Sequence, residues 1–397
     1  MNKELFEKAY QSLKDVVVKT PLLNYSNYFD FNCYLKLENL QKTGSFKLRG
    51  AYNKISNLSF EQKNKGIICA SAGNHAQGVA YAANQLNIKA TVVMPKTAPL
   101  AKIDATKAYG VEVVLAGNSF DECYQKAKEL QKEKNYFFIE PFDDEEVIAG
   151  QATIAMEILE ELTDFNYILV PIGGGGLIAG IAQVLKNFNK DLTIIGVEAE
   201  NSCSMLTSLR CNNITTLKSS DTFADGIAVK KVGMLPFEIC NDLIDEIVLV
   251  SELEINQAIL FALEKLNIVL EGAGAVTLAA LLNNKIPLNK SDTALAILSG
   301  GNIDVTLLAN LIENGLKNDH RRITIGTIID DKPGQLNKLL NILTNQQANI
   351  INVFHDRYHP NSSAKTCYVE LTIDTFNQAH INNIIQTLLS NGYDYLA

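Results

Sequence analysis

Short apolar runs alternate with helical patterns between about residues 33 and 317. Runs at 33–37, 67–70, 90–94, 111–115, 136–139, 167–171, 192–197 and 294–298 predict strands. Patterns at 119–133, 144–161 and 253–265 predict helices between them. Near-continuous apolar strands separated by helices imply parallel sheets covered on both faces, an α/β architecture. Such sheets carry their ligands outside the carboxyl ends of the strands, so the chemistry is expected there. Near residue 318 the pattern changes. The polar stretch Asn318-Asp319-His320-Arg321-Arg322 predicts a linker. After it come a strand (323–329), a helix (334–346), two strands (348–354 and 365–373) and a helix (377–389). The expected domains are therefore 1–317 and 318–397, the second a small α+β unit.

Composition narrows the function classes. The 397 residues carry 35 Lys and Arg against 44 Asp and Glu, a net charge of −9 with no long basic run. That balance offers no electrostatic footprint for nucleic acid or an anionic membrane. No apolar run approaches the roughly 18–20 residues that span a bilayer. Met1-Asn2-Lys3-Glu4-Leu5 has no signal-peptide core, so a cytoplasmic protein is expected. The seven cysteines (Cys33, Cys69, Cys123, Cys203, Cys211, Cys240, Cys367) form no CxxC, against a disulfide framework or structural zinc. His75 is the only histidine in the first 319 residues, which excludes a multi-histidine metal centre there. His355 and His359 are four apart, but Pro360 follows at once, so they read as surface residues and no metal is expected.

Four segments fall where predicted strands end. The first is Thr43-Gly44-Ser45-Phe46-Lys47-Leu48-Arg49-Gly50, opening a helix over 51–58. Lys47, set between Phe46 and Leu48, is either an exposed lysine at a helix start or a partly desolvated amine. Desolvation lowers a lysine pKa, and a neutral amine can condense with a carbonyl. The second is Ser71-Ala72-Gly73-Asn74-His75, a strand-to-helix turn whose free N–H groups suit a carboxylate or phosphate. Here Asn74 either caps the helix or binds a ligand, and His75 is a base or a positioning residue. The third is Gly173-Gly174-Gly175-Gly176-Leu177, whose backbone can wrap a phosphate. Gly174-x-Gly176-x-x-Ala179 with Glu198 on the next strand also meets a relaxed dinucleotide fingerprint. The fourth is Ser299-Gly300-Gly301-Asn302, where Ser299 either caps a helix or bonds an aromatic ring nitrogen. Taken together they offer an amine, a carboxylate nest, a phosphate cup and a hydroxyl. Pyridoxal phosphate carrying an amino acid needs that set, whereas a dinucleotide leaves Lys47 and the Ser71–His75 turn unused.

Over about residues 5 to 317 these motifs, in this order, resemble the threonine dehydratase (threonine ammonia-lyase) family. That family belongs to the tryptophan-synthase-β-like, fold-type II pyridoxal-phosphate enzymes, whose catalytic region holds two parallel-sheet subdomains. The resemblance implies that Lys47 holds pyridoxal 5′-phosphate and then takes the Cα proton. It implies that Asn74 bonds the cofactor's 3-hydroxyl and that Ser71, Ala72, Gly73, Asn74 and His75 grip the substrate carboxylate. Gly173, Gly174, Gly175, Gly176 and Leu177 would cradle the phosphate, and Ser299 would meet the pyridine nitrogen. A hydroxyl there leaves the ring less protonated, which favours β-elimination over transamination. In related serine racemases a second serine of the Ser71–His75 turn reprotonates Cα; here that position is Ala72, which implies dehydration alone.

The C-terminal segment resembles an ACT domain. The cues are Asp330-Asp331-Lys332-Pro333-Gly334-Gln335-Leu336 and Asn352-Val353-Phe354-His355-Asp356-Arg357, with a last strand shortened to 392–397. ACT domains usually pair and bind an amino acid, so an effector and a homo-oligomer, dimer or tetramer, are expected. The expected activity is conversion of L-threonine to 2-oxobutanoate and ammonia, with L-serine giving pyruvate, in isoleucine biosynthesis or threonine catabolism. The alternatives are a serine dehydratase or racemase of the same family, a nicotinamide-dependent oxidoreductase, and a non-catalytic amino-acid sensor.

Overall fold

The apolar runs become the interior strands of two sheets in a computed structural model, which describes residues 1–396. The chain divides into two units, Met1–Asp304 and Val305–Ala397. In the first, the strands are β1 (Leu22–Asn24), β2 (Asn32–Leu37), β3 (Ile67–Ala70), β4 (Ala90–Met94) and β5 (Glu112–Leu115). They continue as β6 (Phe137–Phe138), β7 (Tyr167–Pro171), β8 (Thr193–Ala199), β9 (Glu246–Val250) and β10 (Thr293–Leu298). One sheet has the order β1-β2-β10-β7-β8-β9, parallel except for β1; the other, β5-β4-β3-β6, is wholly parallel. β3, β4 and β7 keep the predicted bounds; β1 and β9 were not foreseen. The helix expected over 253–265 runs from Glu252 to Phe261 and then widens into a π turn, Ala262–Leu266.

Helix contact near the site is set by missing side chains. The Lys47–Ser56 helix crosses the Glu145–Glu161 helix so closely that a Cβ at Gly150 would lie 2.6 Å from the Arg49 carbonyl oxygen. Beneath that crossing lies a dry ionic quartet of Lys36, Glu38, Arg49 and Glu157, all nearly or wholly buried. Apolar residues of helices and strands together, such as Ile148 and Ile178 with Ile168 and Ile297, form the core of the larger sheet.

The second unit begins with the Val305–Asn318 helix, which the sequence grouping had assigned to the first domain. The polar stretch expected to be a linker is a tight turn: the helix ends at Asn318, His320 takes φ +57°, and β11 (Arg322–Asp330) starts at once. β12 (Asn349–Asp356) and β13 (Thr366–Asp374) complete an antiparallel sheet of order β11-β13-β12. Helices Gln335–Asn345 and Gln378–Ser390 bury Leu339, Leu343, Ile384 and Leu388 with one face of that sheet. The shortened last strand survives as one bridge, Leu396 pairing with Gly326.

Candidate active site

In the first unit, all four sequence segments meet at one pocket, ≈ 430 Å³ including its mouth. Lys47, Asn74 and Ser299 line it with Gly173, Gly174, Gly175, Gly176 and Leu177. Asn74, the glycine run and Ser299 lie just past the ends of β3, β7 and β10, as an open parallel sheet requires, and Lys47 follows the end of β2 by ten residues. Loop-to-loop hydrogen bonds join segments far apart in sequence. Phe46 N–H donates to the Ser299 carbonyl (3.1 Å), and Gly301 N–H donates to the Gly44 carbonyl (2.9 Å).

Lys47 opens its helix and is half-buried in the pocket wall. Its Nζ donates to the Pro141 carbonyl at 3.0 Å and stands 5.3 and 6.0 Å from the ring centres of Phe46 and Phe142. Burial pulls its pKa down to about 8, although the Glu271 carboxylate pulls the other way. An amine near neutrality is the species that condenses with an aldehyde or accepts a carbon-bound proton. His75 is not a competing base. Burial, then the charge of Lys47, lower its pKa to about 3, and its Nε2 is spent 3.1 Å from the Ile139 carbonyl oxygen.

The glycine run is built as an anion cup. Gly175 sits at φ +93° as the residue before the Gly176–Phe188 helix, a backbone state that glycine adopts without strain. A Cβ at Gly174 would collide with the Phe142 ring, and one at Gly176 would lie 2.9 Å from the Phe142 carbonyl oxygen. The start of the helix leaves N–H groups without intrahelical partners at this cup, and the helix dipole favours negative charge there.

Asn74 is not a helix cap. Gly73 holds the capping position without a side-chain bond, and a Cβ there would meet nothing within 4 Å. Asn74 Nδ2 instead donates to Glu271 Oε1 at 2.6 Å, and Asn74 Oδ1 accepts from Asn302 Nδ2 at 2.7 Å. Ser299 is no cap either: its Oγ donates to the Ala273 carbonyl at 3.2 Å, and the next helix starts only at Val305. Ser71 Oγ accepts from Gly73 N–H at 3.2 Å, which shapes the turn; neither Ser71, Ala72, Gly73 nor His75 lines the pocket wall.

Sequence reasoning missed Phe142, Gly226 and Glu271, which also line the pocket. Glu271 is 3 % exposed, and burial, then the neighbouring Asp225 charge, raise its pKa to about 7. The only sequence cue was a lone acid at the start of an apolar, small-residue helix, Gly272–Leu282.

The dinucleotide reading loses its acid. Both carboxylate oxygens of Glu198 accept backbone N–H groups, Met205 and Leu206 at 2.9 Å each, so the residue caps the Ser204–Arg210 helix inside the protein. A ribose has no access to it. The pocket chemistry does fit pyridoxal phosphate: an unpaired, easily neutralised amine, a phosphate cup of bare backbone and a hydroxyl at a third strand end.

Comparison with known proteins agrees with this geometry. A family model described as "Pyridoxal-phosphate dependent enzyme" matches residues 13–300. An L-threonine ammonia-lyase of Thermotoga maritima is 45 % identical over 394 residues, covering 98 % of both chains. A catabolic L-threonine dehydratase of Staphylococcus aureus is 48 % identical over 316 residues, 78 % of this chain and 91 % of that one. Among solved structures, the processed threonine deaminase isoform 2 of Solanum lycopersicum superposes with a TM-score of 0.74 at 43 % identity, covering 79 % of this chain and 94 % of that one.

Proposed function

Since the chain belongs to the pyridoxal-phosphate-dependent enzyme family, we propose that it is a threonine ammonia-lyase, converting L-threonine to 2-oxobutanoate and ammonia and accepting L-serine as a second substrate. The observation that carries this reading is the half-buried Lys47 amine, its pKa drawn down to about 8, in one pocket with the glycine cup. Bound there, the cofactor supplies an electron sink for the charge left when the Cα proton departs.

The remaining work belongs to the chain's own residues. Lys47 Nζ takes the Cα proton, since its neutral form is accessible near pH 8, while Glu271, the other titratable group of the wall, is engaged by Asn74. The backbone of Gly173, Gly174, Gly175, Gly176 and Leu177 binds phosphate. The turn from Ser71 to His75 holds the substrate carboxylate at the open start of the Asn74–Gln85 helix. Asn74, clamped by Glu271 and Asn302, keeps one amide hydrogen free for the cofactor's 3-hydroxyl. Ser299 presents a neutral hydroxyl rather than a carboxylate to the ring nitrogen. Phe46 and Phe142 stand beside the amine, 5.3 and 6.0 Å from Nζ to the ring centres, and add apolar wall to the pocket. Ala72 offers no proton to the opposite face of Cα, which supports elimination over racemisation.

The 318–397 region is assigned an ACT-like regulatory role with an amino-acid effector, supported by its antiparallel β11-β13-β12 sheet and two helices. Assembly into a dimer or tetramer goes with that assignment. All seven cysteines are free thiols, which suits a reducing compartment such as the cytoplasm. A product assay on threonine and serine, with and without isoleucine, tests substrate and effector and separates a biosynthetic from a catabolic role. Lys47→Ala should abolish both the cofactor's protein-bound absorbance and 2-oxo acid formation; turnover in that variant refutes the assignment.

A further inference from the structure

Three neighbouring strands of the second unit deliver one metal-ligating side chain each to the same end of their sheet. Asp331 follows directly on β11, Cys367 pairs with Ile329 across the β11–β13 ladder, and His355 pairs with Val369 across the β12–β13 ladder. Side chains alternate along a strand, so Asp331 shares the face of Ile329 and Cys367, and His355 shares that of Val369 and Cys367. Side-chain contacts agree. His355 Nε2 lies 3.0 Å from Cys367 Sγ, and one ligand atom from each of Asp331, His355 and Cys367 falls within 4.8 Å of the other two. A tetrahedral ion with bonds of about 2.0–2.3 Å needs its donors about 3.3–3.8 Å apart, so small side-chain rotations suffice.

Chemistry narrows the occupant. One sulfur, one imidazole nitrogen and one carboxylate oxygen form a mixed set that suits a borderline-soft divalent ion and not Mg²⁺ or Ca²⁺. Cys367 is fully buried, and apart from His355 its sulfur has only the Ile329 carbonyl, 3.8 Å away. Arg357 fixes the carboxylate, its Nε 2.9 Å from Asp331 Oδ2. Asp331 and His355 are exposed, which gives an ion its way in and leaves a fourth position facing water. We propose that Asp331, His355 and Cys367 form a binding site for a thiophilic divalent cation of the Zn²⁺ class, with water as fourth ligand. On binding, the metal replaces the Cys367 thiol proton, which leaves to solvent. The site uses none of the residues assigned to catalysis.

The test titrates full-length, cofactor-loaded protein with Co²⁺ as a spectroscopic stand-in for Zn²⁺. A sulfur-to-cobalt charge-transfer band should grow and saturate at about one ion per chain, and added Zn²⁺ should erase it. His355→Ala, at an exposed position, should weaken Co²⁺ binding by about tenfold or more. Cys367→Ser should remove the band; because Cys367 is buried in the core, the His355 variant carries the test if that one fails to fold. Two results overturn the proposal: no band in the parent protein at millimolar cobalt, or an equal band in His355→Ala, which would place the ion on another thiol such as the exposed Cys211.

Discussion

Replacing Arg49 by methionine should destabilise the first unit by about 3–5 kcal/mol, the usual result of leaving a buried charge unpaired. Arg49 Nε and Nη2 donate to Glu38 at 2.9 and 2.8 Å, while Nη1 and Nη2 donate to Glu157 at 2.6 and 2.9 Å. Lys36 Nζ adds a 2.7 Å bond to Glu157 and another of 2.7 Å to the Thr20 carbonyl. Two cations thus balance two carboxylates in a region without water contact. Arg49→Met keeps most of the side-chain volume but leaves both carboxylates to Lys36 alone. With an unfolding entropy of about 2.1 cal/mol/K per residue over roughly 300 residues, that loss lowers the melting temperature by about 5–8 °C. Adding Glu157→Gln restores the balance, so the second substitution should do little further harm or even recover stability. The expected coupling between the two is about 1–3 kcal/mol. Differential scanning calorimetry of the four proteins at one saturating cofactor concentration measures both quantities. A shift below about 2 °C for Arg49→Met, or strictly additive losses, would refute the claim that charge balance holds this crossing together.

Other outcomes follow from the same contacts. Gly174→Ala should drive a methyl into the Phe142 ring, lowering the melting temperature of the cofactor-free protein modestly and weakening cofactor binding by about tenfold or more in a spectroscopic titration. Glu198→Gln should flatten the pH dependence of stability. Burial raises the Glu198 pKa from 4.5 to about 7 against the opposing Met205 and Leu206 N–H groups, so its stabilising contribution is full below 4.5 and lost as pH rises through about 7. Urea midpoints at pH 5 and pH 8 should therefore diverge less in the variant than in the parent. Ala72→Ser should introduce a proton donor beside the substrate turn, and chiral chromatography should then detect D-serine formed from L-serine; its complete absence would remove Ala72 from the argument against racemisation.

Period and turn chemistry made most of the fold legible. β3, β4 and β7 are short, mainly apolar runs, each preceded by a polar residue or glycine, and their ends coincide with the pattern. β9 was hidden because its five residues follow an apolar helix, Met234–Leu243, after a gap of two residues, so one pattern runs into the next. β1 has only three residues, none of them buried, and leaves no alternation to read. Within the site, glycine runs and strand ends marked Lys47, Asn74, Gly174 and Ser299, since local backbone needs are written locally. Glu271 and Phe142 carry no such mark: they reach the pocket through long-range folding, 197 residues from Asn74 in one case.

The sharpest instance lies within one helical turn. Lys47 and Arg49 are two residues apart; Arg49 is fully buried and Lys47 is half-buried at the pocket wall. Burial works against the charged form of each equally in sign. Lys47 meets a carbonyl oxygen and two aromatic rings, with Glu271 acting only as a background charge, and its pKa falls to about 8. Arg49 meets two carboxylates in direct hydrogen bonds, and its charged form is held more firmly than in water. The segment Phe46-Lys47-Leu48-Arg49 cannot by itself say which cation will be reactive and which structural. That difference is set by Glu38, Glu157 and Pro141, which the strand order brings to opposite sides of the same helix start, and a carboxylate introduced beside Lys47 would turn the base into another fixed charge.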